Sequence, residues 1–327
     1  MAKLLRQVYP EAPARDQDFV ELFAGEAAVS QGMRLLGHSG FTMDLRISLD
    51  HDLLSPAGFV MLLSCLARLR PGAVFWAAPP CSTWVFMSRH STGRDRCVTG
   101  NTSSPYVLAQ NALVCRLLVA LRFCLARGVY FIVEQPHSTV MFEYPPFKRW
   151  LASAAAAGRV QRCHTQMGAF GLRAVKDTIL LGTAPYLGGL ARRMGARERQ
   201  ALREDRMTTA VVYRDSEGRR RCKGGKDLKA TQAYPFRFGL AHALAYQTAA
   251  AVAAGLAKAE DPAPAGAATA AAAADDWAWS ATGEFDSDAS DDDHEWYMAD
   301  VVRWDAVAWH NNYRGEQLLK LGGGTLA

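Results

Sequence analysis

Short apolar runs alternate along the chain with longer segments in which apolar residues recur at helical spacing. The runs predict strands at residues 18–24, 39–44, 73–77, 129–133, 159–165 and 177–182. The other segments predict helices at residues 26–36, 55–69, 105–127 and 146–158, and a last one that follows an aromatic lead-in at 234–238 and runs to about 257. Strands that alternate with helices this often are typical of a mostly parallel sheet with helices on both faces. We therefore predict an α/β fold.

This pattern divides the chain into a polar lead-in at 1–17, one folded domain at 18–257 and a tail at 258–327. Inside the domain, residues 192–229 are basic and poor in large apolar side chains. Residues 211–213 in this segment predict one arm of a hairpin. The basic insert either lies on the phosphates of a nucleic acid or is a solvated loop.

The charge of the chain is divided between the domain and the tail. Residues 1–257 carry 33 Lys and Arg against 18 Asp and Glu, a net charge of +15, whereas residues 258–327 carry 4 against 14, a net charge of −10. A basic folded part suits a polyanion such as DNA or RNA, although scattered surface arginines on an ordinary enzyme give the same sum. The tail is low in complexity and acidic, which predicts disorder, and its tryptophans suit contact with the core or with a protein partner.

The composition indicates an intracellular protein. The 327 residues are 50% hydrophobic, enough for a sizeable core, yet no run approaches ~18 uncharged apolar residues and the amino terminus lacks an apolar signal. We therefore expect no membrane partner. The seven cysteines contain no C-x-x-C pair, which is typical of neither a disulfide framework nor a common zinc site. A cluster of Arg and Lys at 219–229 is a nuclear-import motif, so we expect a nuclear location.

Two polar side chains are predicted at the carboxyl edge of the sheet. Two prolines end the strand at 73–77 and place Cys81 at that edge, where open α/β sheets bind ligands. Glu134 follows the strand at 129–133 and reaches the same edge. Each has a plainer interpretation, because a lone cysteine is commonly a small buried hydrophobe and a glutamate can cap a helix or form a salt bridge. The long polar segment at 82–104 is typical of a functional lid or of disorder.

The first strand leads through a glycine turn into a helix, an arrangement that lets a cofactor approach the backbone. Asp44 follows the second strand about 20 residues later, the spacing at which nucleotide-binding folds place an acid on ribose hydroxyls. An aspartate that caps a turn would look the same. We assign these residues to a cofactor site: Phe23, Ala24, Gly25, Glu26, Asp44 and Pro79.

Four motifs occur in a recognisable order: Phe-Ala-Gly at 23–25, Pro-Pro-Cys at 79–81, Glu-Gln-Pro at 134–136, and a Phe-Gly run that ends in Lys at 170–176. In this order they resemble the cytosine-C5 methyltransferases, whose motifs lie along a Rossmann-like methyltransferase sheet. The chain departs from the family's pattern at the second glycine of the cofactor turn, which is Ala27 here, and in its short basic insert.

The resemblance implies a chemistry for three side chains. Cys81 would add to C6 of cytosine as a thiolate, and Arg89 or Arg94 in the following segment would favour that thiolate. Glu134 would bond N3 and the exocyclic amine of the base, and Lys176 would hold the base or its phosphate. The methyl donor would be S-adenosylmethionine.

Three hypotheses follow from these residues: cytosine-C5 methylation of DNA, the same chemistry on RNA, and a methyltransferase-like nucleic-acid-binding module that has lost turnover.

Overall fold

The computed structural model describes residues 13–255, except residues 86, 87, 159, 206, 215, 219 and 225. The strands are β1 (Gln17–Leu22), β2 (Gly40–Met43), β3 (Leu69–Ala77), β4 (Tyr130–Pro136), β5 (Gln161–Gln166), β6 (Asp177–Gly182), β7 (Ala210–Arg214) and β8 (Arg220–Gly224). The α-helices are α1 (Ala28–Leu35), α2 (Pro56–Ala67), α3 (Arg89–Thr92), α4 (Pro105–Ala126), α5 (Pro145–Ala156), α6 (Ala196–Asp205) and α7 (Phe236–Ala253). Most of the lead-in and the whole tail from residue 258 lie outside the described residues.

Six strands form the main sheet in the order β2-β1-β3-β4-β6-β5. β1 pairs in parallel with β2 and β3, and β3 pairs in parallel with β4. β6 is antiparallel to both of its neighbours, β4 and β5. The prediction of an α/β fold with a mostly parallel sheet is therefore confirmed, and the sheet is consistent with a Rossmann-like methyltransferase fold.

Helices cover both faces of this sheet, as the alternation of elements predicts. On one face, α2, α4 and α5 pack over a core centred on the side chains of Phe75, Phe131 and Val133. On the other face, α1 and α7 cover a second core that contains Trp76 and Ile132. α4 is long and apolar enough to cross a bilayer by length and composition alone, but 61% of its most apolar window is buried inside the protein.

Two glycines let α1 and α7 approach until their backbones touch. A Cβ atom on Gly32 of α1 would collide with the backbone carbonyl of Gly239, and a Cβ on Gly239 would collide with the carbonyl of Ala28. The close crossing fixes α7 against the helix that follows β1. It thereby places the segment that leads into α7 over the face of the sheet that bears Trp76.

The structure also differs from the sequence-based prediction at several points. β3 already begins at Leu69, because Leu69 pairs with β1. The register of the pairing between β1 and β3 then shifts before the later pairs. β4 continues through Glu134 to Pro136, because β6 supplies antiparallel partners beyond the end of the parallel pairing. The hairpin is confirmed as β7 and β8. The segment 82–104 is packed rather than disordered where it is described, and Trp84 within it is fully buried.

Candidate active site

The turn after β1 is held in an uncommon backbone conformation. Phe23, Gly25 and Ala27 all have positive φ angles, of 59°, 54° and 57°. The left-handed region costs a non-glycine residue on the order of 1–3 kcal/mol, so the surrounding structure must hold Phe23 and Ala27 in place. Ala27 has the same left-handed backbone conformation that a glycine adopts readily. The family that the chain resembles has glycine at this position.

Asp44 fastens this turn to the end of β2. Its Oδ2 accepts a hydrogen bond from the Gly25 N–H at 3.0 Å, and its Oδ1 accepts one from the Arg46 N–H at 2.8 Å. Arg46 also forms an exposed ion pair with Glu26 at 2.8 Å. The structure therefore brings together the predicted cofactor residues from Phe23 to Glu26 with Asp44. Asp44 does cap a turn, and that role leaves its carboxylate beside the open backbone at Gly25.

The Pro-Pro-Cys segment is tied to both neighbouring strands. The Ala78 N–H donates to the carbonyl of Leu22 in β1 at 3.2 Å. The buried Gln135 side chain of β4 donates from Nε2 to the Pro79 carbonyl at 2.7 Å. Pro79 therefore connects the segment to β4 and lies outside the turn at 23–26. Cys81 follows, half-buried and in no disulfide, and its carbonyl accepts a hydrogen bond from Trp84 at 2.8 Å.

Glu134 and Lys176, which are 42 residues apart, form an ion pair. Lys176 Nζ lies 3.6 Å from Glu134 Oε1, and the Glu134 side chain is only 6% exposed. Lys176 itself has a positive φ of 39°, so the backbone before β6 bends sharply at this residue.

Ala77 pairs with Val133, so Glu134 lies one position past that pair while Cys81 lies four positions past Ala77. The structure therefore places the carboxylate, the ammonium group and the cysteine segment at one end of β3 and β4.

The arginines of the segment after Cys81 connect that segment to its surroundings. The Arg94 guanidinium stacks 3.3 Å from the centre of the Trp84 ring, donates to Asn111 at 2.9 Å and also donates to the Val98 carbonyl. Burial lowers the pKa of Arg94 to about 10. Arg89 donates to the Ser138 carbonyl at 3.0 Å and so links the segment to the residues after β4. Both side chains therefore hold the segment in place, and the prediction that one of them favours the Cys81 thiolate stays a prediction.

Two polar residues with buried oxygen atoms were not predicted for this site from the sequence. Glu21 of β1 is fully buried, its Oε2 accepts from the Ser30 N–H at 2.7 Å, and burial raises the pKa of Glu21 to about 7. Tyr234 lies just before α7, with Lys176 Nζ 5.0 Å from the centre of its ring. A carboxylate inside an apolar strand was a usable signal for Glu21. Tyr234 had none, because only the tertiary fold brings it to Lys176.

No group of three or more His, Cys, Asp or Glu side chains in the described part of the chain is placed to hold a metal ion, and the six cysteines whose side chains the structure describes are free thiols.

No family model matches this sequence, and no curated protein matches it. Among solved structures, a protein encoded within an E. coli prophage and described as a DNA modification methyltransferase aligns with it at 12% identity and a TM-score of 0.32. The alignment covers 51% of this chain and 46% of the other, so this chain spans about half the length of that protein. A likeness at this level bears on neither the fold nor the function.

Proposed function

We propose that this protein is an S-adenosylmethionine-dependent methyltransferase that acts on C5 of cytosine, with DNA as the expected substrate. The observation that carries the proposal is the ion pair of Glu134 and Lys176 at the end of β4, beside the tethered segment that bears Cys81. These are the three residue types that the chemistry requires. Their arrangement on a sheet of this strand order supports the same conclusion.

The turn after β1 fits the cofactor. A Cβ atom built on Gly25 would have only the Arg46 guanidinium near it, at 4.0 Å, so a ligand has room to approach the Gly25 backbone. Asp44 would accept hydrogen bonds from ribose hydroxyls, as acids after the second strand do in nucleotide-binding folds. The cofactor, when bound, supplies an electrophilic methyl group.

The side chains of the chain would then activate the base. Cys81 would add to C6 as a thiolate, which makes C5 nucleophilic enough to take the methyl group. Loss of the C5 proton to solvent water as the base would then break the bond between Cys81 and C6, release the thiolate and restore the ring. Glu134 would bond the N3 position and the exocyclic amine of the base. Lys176, at 3.6 Å from Glu134, would fix the carboxyl group and offset charge as the thiolate adds. The base must leave its stack to reach these groups.

Cofactor titration followed by a transfer assay tests this proposal. Isothermal titration should detect S-adenosylmethionine binding, and transfer of a labelled methyl group should produce 5-methylcytosine on mass spectrometry of the digested polymer. Cys81→Ser should abolish transfer, whereas Cys115→Ser, which changes an exposed thiol on α4, should leave it unchanged. Absence of cofactor binding, or a methyl group at another atom, would refute the proposal.

Parallel transfer assays on DNA and on RNA identify which polymer is the substrate. Transfer to RNA alone would replace DNA as the substrate while keeping the chemistry. Retention of nucleic acid without any transfer would instead identify a module that binds and does not turn over.

A further inference from the structure

Four buried polar atoms lie under the amino-terminal end of α7 without ordinary hydrogen bonds. They are Glu21 Oε1, Trp76 Nε1, Glu134 Oε1 and the Tyr234 hydroxyl, and within the described part of the chain none makes a hydrogen bond of normal length and angle. Native proteins satisfy the great majority of such atoms, so a cluster of four requires a physical explanation. Glu21, Trp76 and Glu134 belong to the neighbouring strands β1, β3 and β4.

Tyr234 lies at the centre of this cluster. Its ring makes edge contacts with Trp76, with centroids 6.0 Å apart, and lies 5.4 Å from Phe238. Burial, and after it the charge of Glu134 and a hydrogen-bonding contact with that carboxylate, raise the pKa of Tyr234 well above its usual range. A phenol with a raised pKa keeps its proton at neutral pH. The Tyr234 O–H is therefore available as a donor beside Glu134.

The face of the same ring receives the cation that pairs with Glu134. Lys176 Nζ lies 5.0 Å from the ring centre and 3.6 Å from Glu134 Oε1. A cation over a phenol face is attracted by about 0.5–2 kcal/mol, depending on its solvation. One side chain thus lies beside both members of the ion pair, with its hydroxyl near the carboxylate and the ammonium group over its ring.

We propose that Tyr234 is a positioning residue for Glu134: it directs its hydroxyl at the carboxylate and holds Lys176 over its ring, so that the carboxyl group is fixed before the base enters. The effect of Tyr234 on catalysis rests on the proposed function, whereas its link to Glu134 does not. Both can be measured separately.

A double-mutant cycle on folding tests the link without any activity. Unfolding equilibria in urea are measured for the wild type, Tyr234→Phe, Glu134→Gln and the double variant. The proposed link predicts that the two changes are coupled by about tenfold or more in the unfolding equilibrium constant. Tyr186→Phe is the matched control, because its buried hydroxyl bonds His242 at 3.1 Å and should show no coupling to Glu134→Gln.

The catalytic consequence is read in the transfer assay. Tyr234→Phe should lower kcat about 10- to 100-fold and leave the affinity for S-adenosylmethionine unchanged, with little further loss when Glu134→Gln is already present. Additive unfolding effects of the two changes would overturn the proposal whatever the activity. Coupled unfolding effects in a wild-type protein that transfers no methyl group would retain the link and refute only the proposed function.

Discussion

Replacement of Gln135 by methionine should loosen the connection between the Cys81 segment and β4. The Gln135 side chain is fully buried, donates to the Pro79 carbonyl at 2.7 Å and accepts from the Thr139 hydroxyl at 3.0 Å. Methionine has a similar volume and flexible length, so it fills the same space without a large cavity. The change therefore removes the two hydrogen bonds and little else.

The cost follows from these contacts. Each lost hydrogen bond contributes about 1 kcal/mol, and the buried Pro79 carbonyl left without a donor adds about 1–3 kcal/mol. The Thr139 hydroxyl can turn to another acceptor, so its share is small. We expect Gln135→Met to lower the free energy of unfolding by about 2–4 kcal/mol.

Urea denaturation followed by circular dichroism measures this change. Gln200→Met is the control, because Gln200 is exposed on α6 and its amide bonds only Glu204, at 2.9 Å. The control should stay within about 0.5 kcal/mol of the wild type. A Gln135→Met variant as stable as the control would refute the reasoning that this side chain fastens the cysteine segment to β4.

Three further changes test other parts of the account. Burial raises the pKa of Glu21 to about 7 from 4.5, so the folded state keeps a proton that the unfolded chain loses, and stability should fall by about 3 kcal/mol as pH rises from about 4.5 to 7. Glu21→Gln should remove that fall in urea titrations at pH 5 and 8, and an unchanged pH dependence would contradict it. Gly239→Ala should destabilise the protein by about 1–3 kcal/mol in thermal or urea unfolding, whereas Gly188→Ala, with open space around it, should be neutral. Asp44→Asn should weaken S-adenosylmethionine binding about tenfold or more in calorimetry, and equal affinities for Asp44→Asn and the exposed control Asp50→Asn would argue against Asp44 as a cofactor residue.

Local patterns in the sequence predict most of the sheet. The apolar run before Pro79 and the run before Glu134 are each long enough for one buried strand, and both form strands. The exact ends depend on partners distant in sequence. β4 extends to Pro136 only because β6 pairs with it from the other side, and no local signal in 129–136 reports that partner.

Site residues could be predicted from the sequence where they belong to one of the four motifs. Glu134 and Lys176 were both assigned from motif order, and the structure brings them to 3.6 Å from each other. The role of Arg89 or Arg94 as a cation for the thiol stays a prediction, whereas the stacking of Arg94 on Trp84 could not be foreseen from the spacing of the two residues. Tyr234 could not be predicted either, since its contact with Glu134 spans 100 residues of sequence.

The most direct test of the central claim is covalent trapping at Cys81. The protein is incubated with S-adenosylmethionine and with DNA or RNA that contains 5-fluorocytosine, and adducts are sought on denaturing gels and by mass spectrometry. Fluorine at C5 prevents the final proton loss, so the enzyme should remain attached to the base through Cys81. We predict an adduct that is present in the wild type and absent in Cys81→Ala. No adduct on either polymer, in protein that binds the cofactor, would contradict the account.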